Sequence, residues 1–156
     1  WVAVSGSVVR KTSNESVTSS TTLQDDDALV FAIGASENWA ITFHVFFRSS
    51  TGGDIKFGVT VPSGAAGSLS GVGPAVGMTD VDDTNVHIGT LTETDFSNTM
   101  SFGGEEAGKY CYVQLNILVI NSTNSGNVQL QWAQNGSDGT ATTVYANSYG
   151  VAQKQA

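Results

Sequence analysis

The sequence predicts an all-β fold, an antiparallel β-sandwich of jelly-roll-like form, as a single domain over residues 1–156. Apolar residues alternate with polar ones in several segments, which is the period of a strand with one buried face. The same segments are rich in β-branched and aromatic residues. Short runs of Gly, Asn, Ser and Asp separate them, as turns separate the strands of sandwiches and barrels.

The strand pattern is clearest in residues 41–47, 55–61 and 128–132, where every second residue is apolar. Turn-rich residues 49–54 separate the first two of these strands. A further strand is expected within residues 140–147, after the turn at 135–139.

The longest predicted strand covers residues 110–121, before a turn at 121–127. One face is continuously apolar, and the other is mixed but uncharged: Tyr110, Tyr112, Gln114, Asn116, Leu118 and Ile120. A strand covered by the core on one side and by a neighbouring subunit on the other has this composition. A central strand of a monomeric sandwich also has it, and both explanations stay open.

Residues 63–84 differ from the rest of the chain. They are rich in Gly, Ser and Ala, whose side chains are too small for a core strand, so we expect a long ordered loop.

The charge balance argues against two classes of partner. The net charge is −8, and the six basic residues are scattered along the chain. Because no basic stripe is present to neutralise phosphates, we expect no nucleic-acid partner, and no anionic membrane for the same reason. No apolar run approaches the ~20 residues of a membrane span. The first residues lack a signal-peptide pattern, since Arg10 and Lys11 follow the apolar residues.

No residue pattern predicts catalysis, a cofactor or a metal. The acidic runs at 25–27 and 80–83 supply oxygen ligands for a cation but match no calcium-loop motif, and solvated turn carboxylates are the simpler interpretation. His44 and His87 are isolated on strands, and no Gly-x-Ser-x-Gly elbow or phosphate-binding glycine motif occurs. Cys111 is interpreted as a small core residue. We therefore expect a non-enzymatic protein.

Sugar binding is harder to exclude. Four aromatic residues offer flat apolar faces, and the Asn-rich loops offer hydrogen bonds. These residues are Trp39, Trp132, Tyr145 and Tyr149. Both tryptophans stand at strand-period positions, where core packing is the commoner role.

Three groups of residues resemble a recurring virion domain of tailed bacteriophages. The C-terminal group is Leu130-Gln131-Trp132-Ala133-Gln134-Asn135 with Ser137-Asp138, Thr143-Val144 and Ser148-Tyr149. The N-terminal group is Arg10-Lys11-Thr12 and Glu15-Ser16-Val17, followed by Thr22-Leu23-Gln24, Asp26-Asp27 and Leu29. The middle group is Val61-Pro62-Ser63-Gly64-Ala65.

The resemblance covers most of the chain and implies a jelly-roll module similar to the tumour-necrosis-factor fold. Such modules are capsid decoration proteins, head fibres or tail-associated proteins, often as homotrimers. It implies location in the virion after assembly in the bacterial cytoplasm, with the major capsid protein or other virion proteins as partners. It supplies no catalytic residues. The chain lacks a fibrous extension, which favours capsid decoration, and a receptor- or carbohydrate-binding module of a tail or fibre is the alternative.

Overall fold

A computed structural model describes residues 6–78, 85–105 and 109–155. These residues form twelve strands and, within the described ranges, no helix. The first six strands are β1 (Gly6–Arg10), β2 (Glu15–Val17), β3 (Gln24–Ile33), β4 (Asn38–Arg48), β5 (Ile55–Thr60) and β6 (Ala66–Pro74). The other six are β7 (Val86–Glu93), β8 (Met100–Phe102), β9 (Cys111–Ile120), β10 (Gly126–Ala133), β11 (Thr142–Val144) and β12 (Tyr149–Lys154).

The strands form two antiparallel sheets, which confirms the predicted sandwich. The larger sheet has the order β1-β12-β4-β9-β6-β7, and β11 joins its β4 to β2. The smaller sheet has the order β3-β10-β5-β8. Its β10 contains a register shift between Gln129 and Gln131. The described residues therefore contain no helix that could cross a membrane.

One hydrophobic core lies between the sheets. The larger sheet contributes residues such as Phe43, Val113 and Leu115, and the smaller sheet contributes Phe57 and Trp132, all fully buried. These residues occupy alternate strand positions, because successive side chains of a strand point to opposite faces. The alternation read from the sequence is therefore the burial pattern of the fold.

The expectation of a long loop over residues 63–84 is wrong for residues 66–74, which form β6 between β9 and β7. Their small size has a packing reason. A Cβ on Gly67 would lie 1.8 Å from the carbonyl oxygen of Leu118, and one on Gly71 would lie 2.8 Å from the Phe102 ring. Glycine thus lets β6 approach its neighbours and leaves room for aromatic rings. Residues 79–84 lie outside the described part of the chain.

Several of the residues that carry the phage-domain resemblance meet in a buried polar cluster. Lys11, which is 2% exposed, donates from Nζ to Glu15 Oε2 at 2.7 Å and to Asp26 Oδ2 at 2.8 Å. Trp132 Nε1 donates to the same Asp26 oxygen at 3.2 Å, and the backbone N–H of Leu29 donates to Asp26 Oδ1 at 2.9 Å. The cluster joins the start of the chain to β3 and β10, so these residues specify the fold.

Candidate functional site

The outward side of the larger sheet is the most distinctive surface of the described chain, and we call it the contact face. It consists of the outward-pointing residues of β1, β12, β4, β9, β6 and β7. Its only charged side chains are Arg10 and Arg48, and it carries no carboxylate. This is unusual in a chain with 14 acidic residues.

Aliphatic side chains lie open to solvent over much of the contact face. Ile88 on β7 is 77% exposed, and Ile120 on β9 is 51% exposed. Leu118, Val151 and Val8 are also exposed on β9, β12 and β1. Large exposed apolar areas with few charges mark surfaces that contact other molecules.

Aromatic side chains cluster at one end of the contact face. His44 stacks on Tyr149 with ring centroids 4.5 Å apart, and its Nδ1 lies 2.6 Å from the hydroxyl of Tyr112. Phe46 packs against Tyr112 at 5.4 Å. Burial lowers the pKa of His44 below its ordinary value, so the imidazole is neutral at pH 7.

The aromatic cluster continues around Arg48. The guanidinium lies 3.9 Å from the centroid of the Tyr110 ring and 5.5 Å from that of Tyr145. A cleft of about 500 Å³ opens beside these rings, with Asn14 and Asn147 at its wall. Aromatic faces beside amide groups are the combination that sugar-binding clefts use.

The four aromatic residues considered for sugar binding divide into two pairs. Trp39 and Trp132 are buried in the core, and their indole N–H groups donate to Glu37 and Asp26. Tyr145 and Tyr149 are half-buried in the aromatic cluster. The sequence did not indicate that Phe46 and Tyr110 join them, because this juxtaposition depends on strand pairing.

The acidic run at 25–27 is not a solvated turn, because it belongs to β3. Asp26 is buried, where it accepts hydrogen bonds from Lys11, Trp132 and the backbone. Asp80, Asp82 and Asp83 lie outside the described residues. Among the residues that are described, no group of three or more His, Cys, Asp or Glu side chains is arranged to hold a metal ion.

The remaining reactive residue types lie apart. His87 Nδ1 is 2.8 Å from the carbonyl oxygen of Ser101, under the β6–β7 edge and away from His44. Cys111 is buried in the core cluster, as predicted. Burial raises the pKa of its thiol, and the negative charges of Glu105 and Asp54 raise it further. The thiol is therefore protonated and unreactive at neutral pH.

Comparison with known proteins identifies no family. No family model matches the chain, and no curated protein matches it. Solved structures with partial likeness include a chain of infectious bursal disease virus Gt strain, with 9% identity and a TM-score of 0.23. A chain of infectious bursal disease virus Gx strain has 12% identity and a TM-score of 0.22. Each match covers 97% of this chain, which spans 37% and 39% of those chains.

Proposed function

We propose that the protein is a non-enzymatic virion structural protein that decorates or stabilises a bacteriophage capsid by multivalent binding. In this proposal it resides in the virion, after assembly in the bacterial cytoplasm. The contact face, which combines exposed apolar side chains with the absence of carboxylates, is the observation that carries the proposal. The phage-domain resemblance supplies the virion setting.

The size of the contact face suits a stable protein interface. Six strands spaced ~4.8 Å apart, with a mean length of about eight residues at ~3.3 Å per residue, cover roughly 760 Å². A standard interface buries about 800 Å² on each partner. Because this face carries two arginines and no carboxylate among its described residues, it also avoids the repulsion between carboxylates that a net charge of −8 produces between copies that meet elsewhere.

We further propose a homotrimer that binds the major capsid protein. Subunits in a closed ring contact each other through two different patches, which the aliphatic and aromatic ends of the contact face offer. Three linked copies on a repeating lattice bind far more tightly than one copy, even when each contact is weak.

The proposal is tested on phage heads that lack the protein. Wild type is expected to bind saturably, and the double variant Leu118→Lys/Ile120→Lys is expected to lose binding. Asp27→Lys is the matched control, because it adds a lysine on β3 of the other sheet. Equal binding by wild type and the double variant would exclude the contact face as the surface that binds the phage head. Sedimentation velocity of the same proteins distinguishes a trimer from a monomer.

A receptor- or carbohydrate-binding module of a tail or fibre is the second candidate, favoured by the aromatic cluster and the cleft beside Tyr145. Under this alternative, a glycan array shows ligands for wild type and weaker signals for Tyr145→Ala. Val8→Ala, at a residue of β1 that does not line this cleft, serves as the control. An array without any ligand for wild type excludes this candidate.

A further inference from the structure

A second cleft opens at the edge of the contact face, where two neighbouring strands separate. β6 and β9 pair only as far as Val72 and Gln114, although β6 continues to Pro74 and β9 begins at Cys111. The gap between them has a volume of about 330 Å³. Its walls are mainly apolar and aromatic, and include Val72, Pro74, Met78, Val86, Tyr110 and Tyr112.

The chain that follows β8 holds one acidic residue against this cleft. The backbone N–H of Gly103 donates to the Pro74 carbonyl at 2.9 Å, and that of Gly104 donates to Asp54 Oδ1 at 2.8 Å. A Cβ on Gly104 would lie 2.6 Å from the carbonyl oxygen of Ser50, so only glycine permits this close approach. The next residue, Glu105, is thereby placed at the cleft wall.

Glu105 has an unsatisfied carboxylate oxygen. The residue is 6% exposed, and its Oε2 is fully buried without a hydrogen-bond partner among residues 6–78, 85–105 and 109–155. Asp54 is also buried, and burial raises its pKa, while the N–H of Gly104 partly offsets this effect. A buried carboxylate oxygen without a donor is costly, so a hydrogen-bond donor that reached this oxygen would stabilise it.

We propose that this cleft binds an alkyl cation, a primary ammonium or guanidinium group on an aliphatic stem, with Glu105 as its counter-ion. The apolar walls suit the stem, and the carboxylate suits the cationic head. A divalent cation fits less well, because hard cations require several oxygen ligands.

The occupant is a lysine or arginine side chain of a partner protein. This assignment rests on the proposed function, because the cleft borders the contact face through Tyr112 and Val72. A basic side chain inserted there would anchor the partner and give Glu105 its missing donor. Within an interface that has few charges, one buried pair of this kind sets the register and selects the partner.

The experiment measures binding of n-butylammonium and n-butylguanidinium to the isolated protein by NMR titration. Wild type is expected to show saturable shifts around the cleft, at the amides of Gly104 and Cys111. Butanol and butyrate, which lack the positive charge, are expected to bind at least tenfold more weakly. A wild type without saturable binding of either cation overturns the proposal.

Two variants test the role of the carboxylate. Glu105→Gln is expected to weaken cation binding at least tenfold, because an amide supplies no counter-charge for the cation. Asp27→Asn, which removes an equal charge from an exposed position on β3, is expected to bind like wild type. Unchanged binding by Glu105→Gln overturns the proposal.

A third variant leaves Glu105 unchanged, so it tests the cleft even if the Glu105→Gln protein fails to fold. Val86→Trp narrows the mouth of the cleft at a side chain that is exposed, and is expected to reduce binding. Unchanged binding by this variant also overturns the proposal. The titrations use no phage heads, so a failure here leaves the head-binding result standing. Conversely, if the protein binds the alkyl cations but not phage heads, the cleft is a cation site and the proposed virion role is wrong.

Discussion

Removing the buried lysine is expected to destabilise the fold severely. Lys11→Met keeps most of the aliphatic stem but leaves Asp26 and Glu15 without their shared cation. Breaking a buried ion pair by removing one partner costs ~3–5 kcal/mol, because the remaining charge stays buried without compensation. The exposed pair Lys154–Glu37 is the matched control, and Lys154→Met is expected to cost ~0–1 kcal/mol.

The size of this loss is large for one domain. Typical domains have an unfolding free energy of ~5–15 kcal/mol. At ~2–4 °C per kcal/mol for a chain of this length, Lys11→Met is expected to lower Tm by roughly 6–20 °C. Burial alone lowers the pKa of Lys11, but its hydrogen bonds to Asp26 and Glu15 raise it above the ordinary value. Its stabilisation therefore persists at neutral pH and is lost only as alkaline pH passes through the raised pKa.

A double-mutant cycle in urea separates the pair from its surroundings. Asp26→Asn would turn an N–H towards the donors of Lys11 and Trp132, so it is also expected to destabilise. The double variant Lys11→Met/Asp26→Asn is expected to cost ~1–3 kcal/mol less than the sum of the single changes. A Lys11→Met loss below ~1 kcal/mol, or strict additivity, would refute the reasoning.

Three further results are expected. Gly67→Ala should lower the free energy of unfolding in urea by ~1–3 kcal/mol or more, since its Cβ would meet the Leu118 carbonyl. Gly6→Ala, whose Cβ would have no atom closer than 3.7 Å, should be near neutral. Equal effects of the two changes would contradict this packing account. Glu37 should titrate by NMR with a pKa of about 2, because it accepts hydrogen bonds from Lys154, the Gly34 N–H and Trp39. Its stabilisation is then present above the ordinary pKa of 4.5 and lost as pH falls towards 2, so Glu37→Gln should flatten this acid dependence; an ordinary pKa would contradict it. Native Cys111 should react with a disulfide reagent far more slowly than the unfolded chain, because its thiol is buried and its pKa raised; similar rates would show that β9 opens readily.

The sequence predicted several of the strands that have one face in the core. Alternation over residues 41–47 and 128–132 predicted most of β4 and β10, because burial on one face has a period of two. β6 was missed because the room on its core side is filled by rings from elsewhere, such as Phe102. Because these rings come from residues far away in the sequence, the sequence of β6 itself does not show the alternation of a half-buried strand.

The candidate site was less predictable than the fold. The mixed outer face of β9 was visible in the sequence, and the structure places it in the middle of a sheet with its outer side open. The pairing of Tyr149 with His44 depends on the β12–β4 register, which joins residues 105 positions apart (149 − 44). Likewise, Glu105 at the cleft is positioned by contacts between distant turns, which alternation does not encode.

The most direct test of the central claim is a cryo-EM reconstruction of phage particles that have been assembled in the presence of this protein. The account predicts copies bound to the head, with other protein packed over Leu118 and Ile120 on the outward side of β9. Copies attached through the acidic turns, with this side of the larger sheet open to solvent, would contradict it.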